Sequence, residues 1–237
     1  AASDVYKRQG PLTPVILKLL ELYCANVAVA YENLLLHEEI EDSQRELILI
    51  LGEAVEHRSK ETGSHLKRVA LIAEMLARDY GLQAQEVELI RIAAPLHDVG
   101  KIGIPDAVLN KPGRHDDTEA AVMKTHTLVG FEMLNKSDKR IMKRGAVIAL
   151  QHHEKWDGSG YPRGLVGEDI DVFARITALA DVFDALGSER CYKSAWETQA
   201  MVAHIEHGRG THFEPRLVDL LFSRLPEYLH LRVLHPD

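Results

Sequence analysis

The apolar residues of this chain recur mainly at intervals of three and four, the spacing of one face of an α-helix. Thr13 and Pro14 form an N-cap followed by a proline at the first helical position, and they open a predicted helix over residues 15–43. Apolar residues follow one face of this segment, and acidic residues crowd its end at 38–42. We expect a long connecting helix, although a packing helix of a monomer fits the same pattern.

Glycine residues punctuate the next helices. Gly63 precedes a predicted helix over 65–80 that Gly81 ends, and a second helix is predicted over 86–97. No segment alternates apolar and polar residues as a half-buried strand would. The sequence therefore predicts an all-α fold, a helical bundle that gathers side chains from several helices.

Polar residues that cap helix N-termini mark two further helix starts. Asp117 is predicted to begin the helix that bears His126. Ser137 is predicted to begin the helix that carries His152 and His153 at its end. These assignments place histidines on helices that can meet in one bundle core.

Histidines and carboxylates in the middle of the chain come in pairs, whereas an isolated histidine is usually a surface or core residue. Glu61 and His65 are four residues apart and share a helical face, and His97 is followed directly by Asp98. Mixed nitrogen and oxygen donors suit first-row divalent metals. The pairing therefore predicts a metal centre.

Two longer motifs carry a family resemblance. Residues 96–105 read LHDVGKIGIP and residues 151–162 read QHHEKWDGSGYP. Both resemble the defining motifs of the HD-GYP phosphodiesterases, a branch of the HD superfamily of metal-dependent phosphohydrolases. The resemblance continues through ADVFDAL at 180–186 and RCYK at 190–193 and covers roughly residues 46–225. Cys191 stands where many members of the family have proline.

The resemblance implies a set of metal ligands, residue by residue. They are Glu61, His65, His97, Asp98, His126, His152, His153 and Asp181. Asp98 and Asp181 are implied to be shared between ions. Family members hold two or three metals, and a glutamate four residues before the first histidine resembles the trinuclear kind. We therefore expect two or three divalent ions, with iron or manganese favoured by the donor set.

The resemblance also implies catalytic and substrate-binding residues. Asp98 and Lys101 are the implied catalytic residues, with Lys101 reaching the phosphate or the leaving oxygen; a solvated lysine near a helix end is the alternative. Tyr161 is implied to lie beside the substrate, and Arg190 and Lys193 to grip a second phosphate. Two ions about 4 Å apart would activate a water molecule and neutralise charge on the phosphoryl oxygens.

The implied function is a phosphodiesterase that hydrolyses cyclic di-GMP to pGpG and/or GMP in bacterial second-messenger signalling. Three alternatives stay open: the substrate 3′,3′-cyclic GMP-AMP, a catalytically silent receptor for the cyclic dinucleotide, and a hydrolase of other phosphoesters. The intact ligand set and Lys101 disfavour the silent receptor. Arg190, Lys193 and the Gly-Tyr-Pro segment disfavour linear nucleotides but do not separate the two cyclic ones.

Composition changes this picture little. A formal net charge of −8 over 237 residues disfavours duplex nucleic acid as a partner. Cys24 and Cys191 form no CxxC pattern, which indicates a reducing, cytoplasmic setting. No uninterrupted apolar run approaches 18 residues, so we expect neither a transmembrane helix nor a membrane partner.

The pattern and the resemblance predict three segments. Residues 1–10 include DVYKRQ at 4–9, which matches the translation of a transposase end sequence used in library preparation, and are expected to be non-native. Residues 11–45 are the connecting helix, which at 22–33 resembles the end of a GAF-like sensory module of response regulators with a receiver domain further upstream. Residues 46–237 are the catalytic domain. A homodimer through the N-terminal helix is expected.

Overall fold

The computed structural model of the chain describes residues 13–59, 63–188 and 196–236. These residues form helices, turns and loops, and no β-strand occurs among them. The all-α prediction is therefore confirmed.

The α-helices of the described residues are numbered here in chain order. They are α1 (Pro14–Arg58), α2 (Gly63–Tyr80), α3 (Ala84–Ala93), α4 (Asp106–Leu109), α5 (Asp117–Lys124), α6 (His126–Leu134), α7 (Arg140–Gln151), α8 (Val172–Gly187), α9 (Thr198–His207), α10 (Pro215–Ser223) and α11 (Leu225–Leu234). Short 3₁₀ helices lie at Ala94–Leu96, Val99–Gly103 and Gly167–Asp169.

The first helix begins as predicted and is longer than predicted. The side chain of Thr13 accepts a hydrogen bond from the amide of Ile16 at 3.4 Å, as an N-cap residue does. The predicted end near residue 43 is wrong, because α1 continues to Arg58. Buried Ile48, Gly52 and Val55 continue the helical spacing through the last turns of α1, so the pattern that predicts this helix extends beyond residue 43.

The chain divides into two compact units, and the boundary between them, at Glu46 and Leu47, falls within α1. In the first unit the large apolar side chains of α1 are exposed, including Leu19 at 61% and Tyr31 at 63%. An 18-residue window of α1 has a mean hydropathy of 1.4 and no buried residue. By length and composition alone α1 could cross a membrane, because an averaged hydropathy tolerates the charged residues that interrupt an apolar run.

The second unit has its main core between α2, α3 and α8, with α10 and α11 against α2. Ile72 and Leu76 of α2, Ile90 of α3 and Leu179 and Phe183 of α8 are fully buried there. Each such side chain contributes about 1.5–3 kcal/mol by leaving water. This core fixes α2 and α8, the helices that carry His65 and Asp181.

A second apolar cluster joins the 3₁₀ helices around residues 94–103 to α6 and α7. It includes Leu96, Val99, Leu134 and Ala149, all buried. The helix predicted over 86–97 is interrupted here: α3 ends at Ala93, and Pro95 lies in the following 3₁₀ helix. Proline lacks the amide hydrogen that would continue the α-helical bonding.

Two other predicted helix starts are also displaced. Asp116, not Asp117, caps α5 through a capping box with Glu119, and the helix breaks at Thr125 before His126 begins α6. Lys139 rather than Ser137 precedes α7, and His152 lies at its C-terminal cap. The histidines therefore lie at helix ends, where a chain can turn side chains toward a common centre.

Candidate metal centre

Side chains from five segments of the chain converge in one buried cluster. His65 lies in α2, His126 begins α6, His152 and His153 follow α7, and Asp181 lies in α8, while His97 and Asp98 link two 3₁₀ helices. The cluster lies in the second unit, and His97, His126 and His152 are at most 2% exposed. The structure thus brings together all the predicted ligands that it describes.

Main-chain carbonyl groups orient three of the histidines. The Nδ1 atom of His97 lies 2.9 Å from the oxygen of Ala94, and that of His126 lies 2.7 Å from the oxygen of Met123. His152 makes the same kind of bond to Ile148 at 3.1 Å. Because a carbonyl oxygen only accepts, each Nδ1 carries the hydrogen, and in the neutral imidazole each Nε2 then has a lone pair to offer.

A side-chain carboxylate orients His65 instead. Its Nδ1 donates to Asp184 at 2.8 Å, while its Nε2 lies 3.4 Å from Asp181. Asp184 has no exposed surface and receives hydrogen bonds from Nε and Nη2 of Arg68 at 2.7 and 3.0 Å. Such a partner fixes the ring orientation of a ligating histidine and raises its basicity.

The donor atoms fall into groups that single ions could bind. One group consists of Asp98, His126, His152 and His153, and another of His65, His97 and Asp181. Within each group one ligand atom from each residue lies within 4.8 Å of the others. Asp98 reaches both groups, because its Oδ1 is 3.2 Å from His126 Nε2 and its Oδ2 is 3.2 Å from His97 Nε2.

The electrostatics of the cluster favour positive charge at its centre. Burial alone would lower the pKa of His65 and His97, but neighbouring carboxylates outweigh it and raise these pKa values to about 10 and about 9. Burial would likewise raise the pKa of Asp98, yet Lys101 and His97 hold it well below its usual range. Burial lowers the pKa of His153, which keeps that imidazole neutral. A divalent cation bound by these groups would displace the protons that His65 and His97 otherwise carry, since imidazole binds a metal only in its neutral form.

One further observation indicates that the residues present fit a divalent metal. The Nε2 atom of His97 is buried, and although Oδ2 of Asp98 lies 3.2 Å away, no group among the described residues has the geometry of a hydrogen bond to it. A buried polar atom without a partner costs about 1–3 kcal/mol, so such atoms in native proteins need an explanation. A cation bound to this nitrogen would provide one.

Close backbone packing places Asp98 against His126. A Cβ atom at Gly100 would overlap the carbonyl oxygen of His126, so only glycine fits this contact. The side chain of Arg58 donates to the carbonyl oxygens of Ile102 and Ile104 at 2.8 and 3.1 Å. These contacts hold the 3₁₀ turn that carries Asp98 and Lys101.

Lys101 points into the cluster rather than into solvent. Its Nζ lies 2.7 Å from Oδ2 of Asp98, and its side chain is 13% exposed. The alternative of a solvated lysine near a helix end does not describe this environment, since Lys101 is part-buried within the 3₁₀ helix Val99–Gly103.

The loop after His153 places Tyr161 at the edge of the cluster. The ring of Tyr161 stacks on that of His153, with 4.8 Å between centroids. Buried Glu154 accepts hydrogen bonds from the amides of Arg163 and Leu165 at 2.7 and 3.0 Å, which anchors the loop. A Cβ at Gly160 would overlap the backbone of Glu154, so the tight loop requires glycine there.

Three predicted site residues lie outside the described residues. They are Glu61, Arg190 and Lys193. Their predicted roles in holding a third metal and gripping a second phosphate stay predictions.

The structure adds polar residues that sequence reasoning missed. Glu56, Arg68 and Asp184 are at most 2% exposed. Asp184 belongs to the ADVFDAL segment, but only Asp181 was assigned a role there. The sequence could have indicated Glu56, which lies on the same helical face as Ile48 and Gly52. This face of α1 is buried, and a carboxylate is rare at such a position.

A family model described as an HD domain matches residues 50–217. This span is more than half of the chain, and it contains every described ligand candidate. The chain therefore belongs to the HD domain family.

Two curated relatives are similar along most of this chain. The 3′3′-cGAMP-specific phosphodiesterase 2 of Vibrio cholerae is 48% identical over 220 residues, which are 93% of this chain and 42% of that protein. The cyclic di-GMP phosphodiesterase response regulator RpfG of Xanthomonas campestris pv. campestris is 50% identical over 183 residues, 77% of this chain and 48% of that protein. The chain thus spans less than half the length of either relative.

A solved structure shares the fold. The crystal structure of a cyclic GMP-AMP specific phosphodiesterase of V. cholerae, V-cGAP3, superposes with a TM-score of 0.58 at 20% identity. The match covers 78% of this chain and 50% of that chain.

Proposed function

We propose that this chain is a metal-dependent phosphodiesterase that hydrolyses a cyclic dinucleotide, with cyclic di-GMP as the first candidate substrate. One observation carries the proposal: Nε2 atoms of four histidines converge on two carboxylates. The histidines are His65, His97, His126 and His152, and the carboxylates are Asp98 and Asp181. The Nδ1 atom of each of these histidines is fixed by a hydrogen bond. The names of relatives at 42–50% identity support the reaction class.

Two or three divalent ions are proposed for the cluster, with iron or manganese as the favoured metals. Asp98, His126, His152 and His153 would hold one ion, and His65, His97 and Asp181 a second. With three ions, Glu61 and His65 would instead hold the third, and the other two would be left to His97, Asp98, His126, His152, His153 and Asp181. Bound ions would lower the pKa of a water molecule and neutralise charge on the phosphoryl oxygens.

The chain's own residues supply binding and orientation. The Lys101 ammonium, held at 2.7 Å from Asp98, would offer a positive charge to the scissile phosphate or the leaving oxygen. Tyr161, stacked on His153 at the edge of the cluster, would contact the substrate beside the metals. Arg190 and Lys193 would grip the second phosphate, Arg190 through a bidentate fork.

A second candidate substrate is 3′,3′-cyclic GMP-AMP. The observation in its favour is the cGAMP-specific relative that is 48% identical over 93% of this chain. Both nucleotides present two phosphodiesters of the same geometry, so the metal cluster alone does not discriminate between them.

The regulatory setting is proposed from the N-terminal helix and the relatives. RpfG carries the words response regulator in its name, which supports an upstream receiver and sensory module in the whole protein. The exposed apolar residues of α1, among them Leu19, Tyr31 and Leu34, would be covered by the same helix of a second copy. Dimerisation of the detergent-free protein, with no binding to lipid vesicles, would separate this proposal from membrane insertion of α1.

The test of the proposed function is turnover by protein purified anaerobically. Cyclic di-GMP, 3′,3′-cyclic GMP-AMP and linear pGpG would be supplied separately, with products followed by chromatography and metals measured on the same sample. We expect hydrolysis of at least one cyclic dinucleotide by metal-loaded protein. Fully loaded protein that bound a cyclic dinucleotide without cleaving it would instead indicate a receptor.

A further inference from the structure

The last turn of α1 contributes a buried carboxylate that no metal-ligand motif accounts for. Glu56 is 1% exposed, and its helix places it beside the turn that carries His97, Asp98 and Lys101. Burial of an ionised carboxylate costs several kcal/mol unless charge and hydrogen bonds compensate it. The surroundings of Glu56 supply that compensation.

Glu56 contacts Lys101 and Ser59. Nζ of Lys101 lies 3.4 and 3.5 Å from the two carboxylate oxygens, and the hydroxyl of Ser59 donates to Oε2 at 2.9 Å. The same Nζ also lies 2.7 Å from Oδ2 of Asp98. The ammonium group therefore contacts both a proposed metal ligand and a carboxylate from a different helix.

We propose that Glu56 is a positioning residue that fixes the Lys101 ammonium for the reaction, an inference that rests on the proposed function of the site. A lysine has four rotatable side-chain bonds, and a single contact with Asp98 leaves much of that freedom. A second carboxylate contact, from a different helix, restricts the position of Nζ further and leaves less entropy to be lost when substrate binds.

A metal-ligand role for Glu56 is the main competing interpretation. Glu56, His97 and Asp98 do offer ligand atoms within 4.8 Å of one another. An ion bound by both carboxylates, however, would share the space in which the Lys101 ammonium lies, and like charges repel there. The positions of the charges favour the lysine as the partner of Glu56.

The experiment compares Glu56→Gln, Lys101→Met and the double variant, with Glu53→Gln as the matched control. Glu53 lies on the same helix and is exposed. We expect Glu56→Gln to lower kcat/KM by about 10- to 100-fold, the worth of one charged hydrogen bond, with metal content unchanged. The double variant should be no slower than Lys101→Met, because Glu56 acts through the lysine.

A readout that does not need turnover is the ¹H–¹⁵N signal of the Lys101 ammonium in protein loaded with diamagnetic zinc, assigned by its disappearance in Lys101→Met. We expect the signal in wild type and its loss in Glu56→Gln. Ser59→Ala, which keeps the carboxylate and removes one hydrogen bond to it, should weaken the signal and lower the rate less than Glu56→Gln. This milder variant serves if Glu56→Gln folds poorly.

Loss of metal in Glu56→Gln, a wild-type rate in that variant, or additive effects in the cycle would each overturn the inference. Failure of the proposed function would look different, because wild-type protein with full metal would cleave no cyclic dinucleotide.

Discussion

The histidines of the metal centre are held in two ways. His97, His126 and His152 donate Nδ1 to carbonyl groups three or four residues earlier in their own segments. His65 donates to Asp184, a side chain from another helix that itself depends on Arg68. The first arrangement exists wherever the local backbone folds, whereas the second needs a network of buried charges. We infer that metal binding at His65 is the more easily weakened by mutation.

Asp98→Ala should have the largest effect, because Asp98 links the two donor groups. We expect turnover to fall by several orders of magnitude, with loss of metal. Hydrolysis rates and metal analysis of the anaerobically purified variant test this. Near-wild-type hydrolysis of cyclic dinucleotides by Asp98→Ala would contradict the assignment of the metal centre.

Asp184→Asn should separate the two ways of holding a histidine. It removes the carboxylate charge that pairs with the buried Arg68 guanidinium, which costs about 3–5 kcal/mol. It should also lower the affinity of the His65 group for metal by about 10- to 100-fold. Thermal unfolding and metal titration measure both effects.

The matched control for Asp184→Asn is Asp219→Asn. It breaks the exposed pair of Asp219 with Arg209 at 2.9 Å and should leave stability and metal affinity near wild type. Equal metal affinity in Asp184→Asn and this control would refute the comparison.

Glu61→Ala should act only on the side of the centre that holds His65. We expect about one ion fewer per chain, with the two-metal reaction reduced but not abolished. The second hydrolysis, from pGpG to GMP, should be affected more. Metal stoichiometry measured beside wild type decides this, and an unchanged value would show that Glu61 binds no metal.

Ser188→Ala should have the smallest effect. The Ser188 hydroxyl accepts from Nη2 of Arg68 at 2.9 Å, at the periphery of the network behind His65. Its loss should cost about 0.5–1.5 kcal/mol of stability and leave the metal stoichiometry unchanged. Calorimetry can detect the difference. Metal loss in this variant would mean that the network tolerates less change than we infer.

Sequence patterns predicted the helical class and the start of α1 but placed several helix ends wrongly. Apolar periodicity reports which residues face a core, and it continues across a break. Pro95 interrupts one predicted helix, and the break at Thr125 separates another from His126. The end of α1 at Arg58 was missed because acidic residues near 38–42 resemble a helix boundary although the helix continues through them.

The candidate ligands could be named from sequence because adjacent and helix-spaced pairs resemble family motifs. The residues behind them could not. Asp184 and Arg68 are 116 residues apart and meet only when α2 packs on α8. Glu56 reaches Lys101 across 45 residues. Such contacts depend on packing between helices, which no local pattern encodes.

Gly100 has a consequence for mutational scanning. It binds nothing, yet any side chain there would collide with the carbonyl of His126 and push Asp98 out of place. In a saturation library selected for metal retention, we expect position 100 to be as intolerant as the ligand positions. Gly81, whose φ is +92° with open space around a Cβ, should accept asparagine in the same library. Intolerance to substitution in this protein will therefore mark backbone contact as well as chemistry.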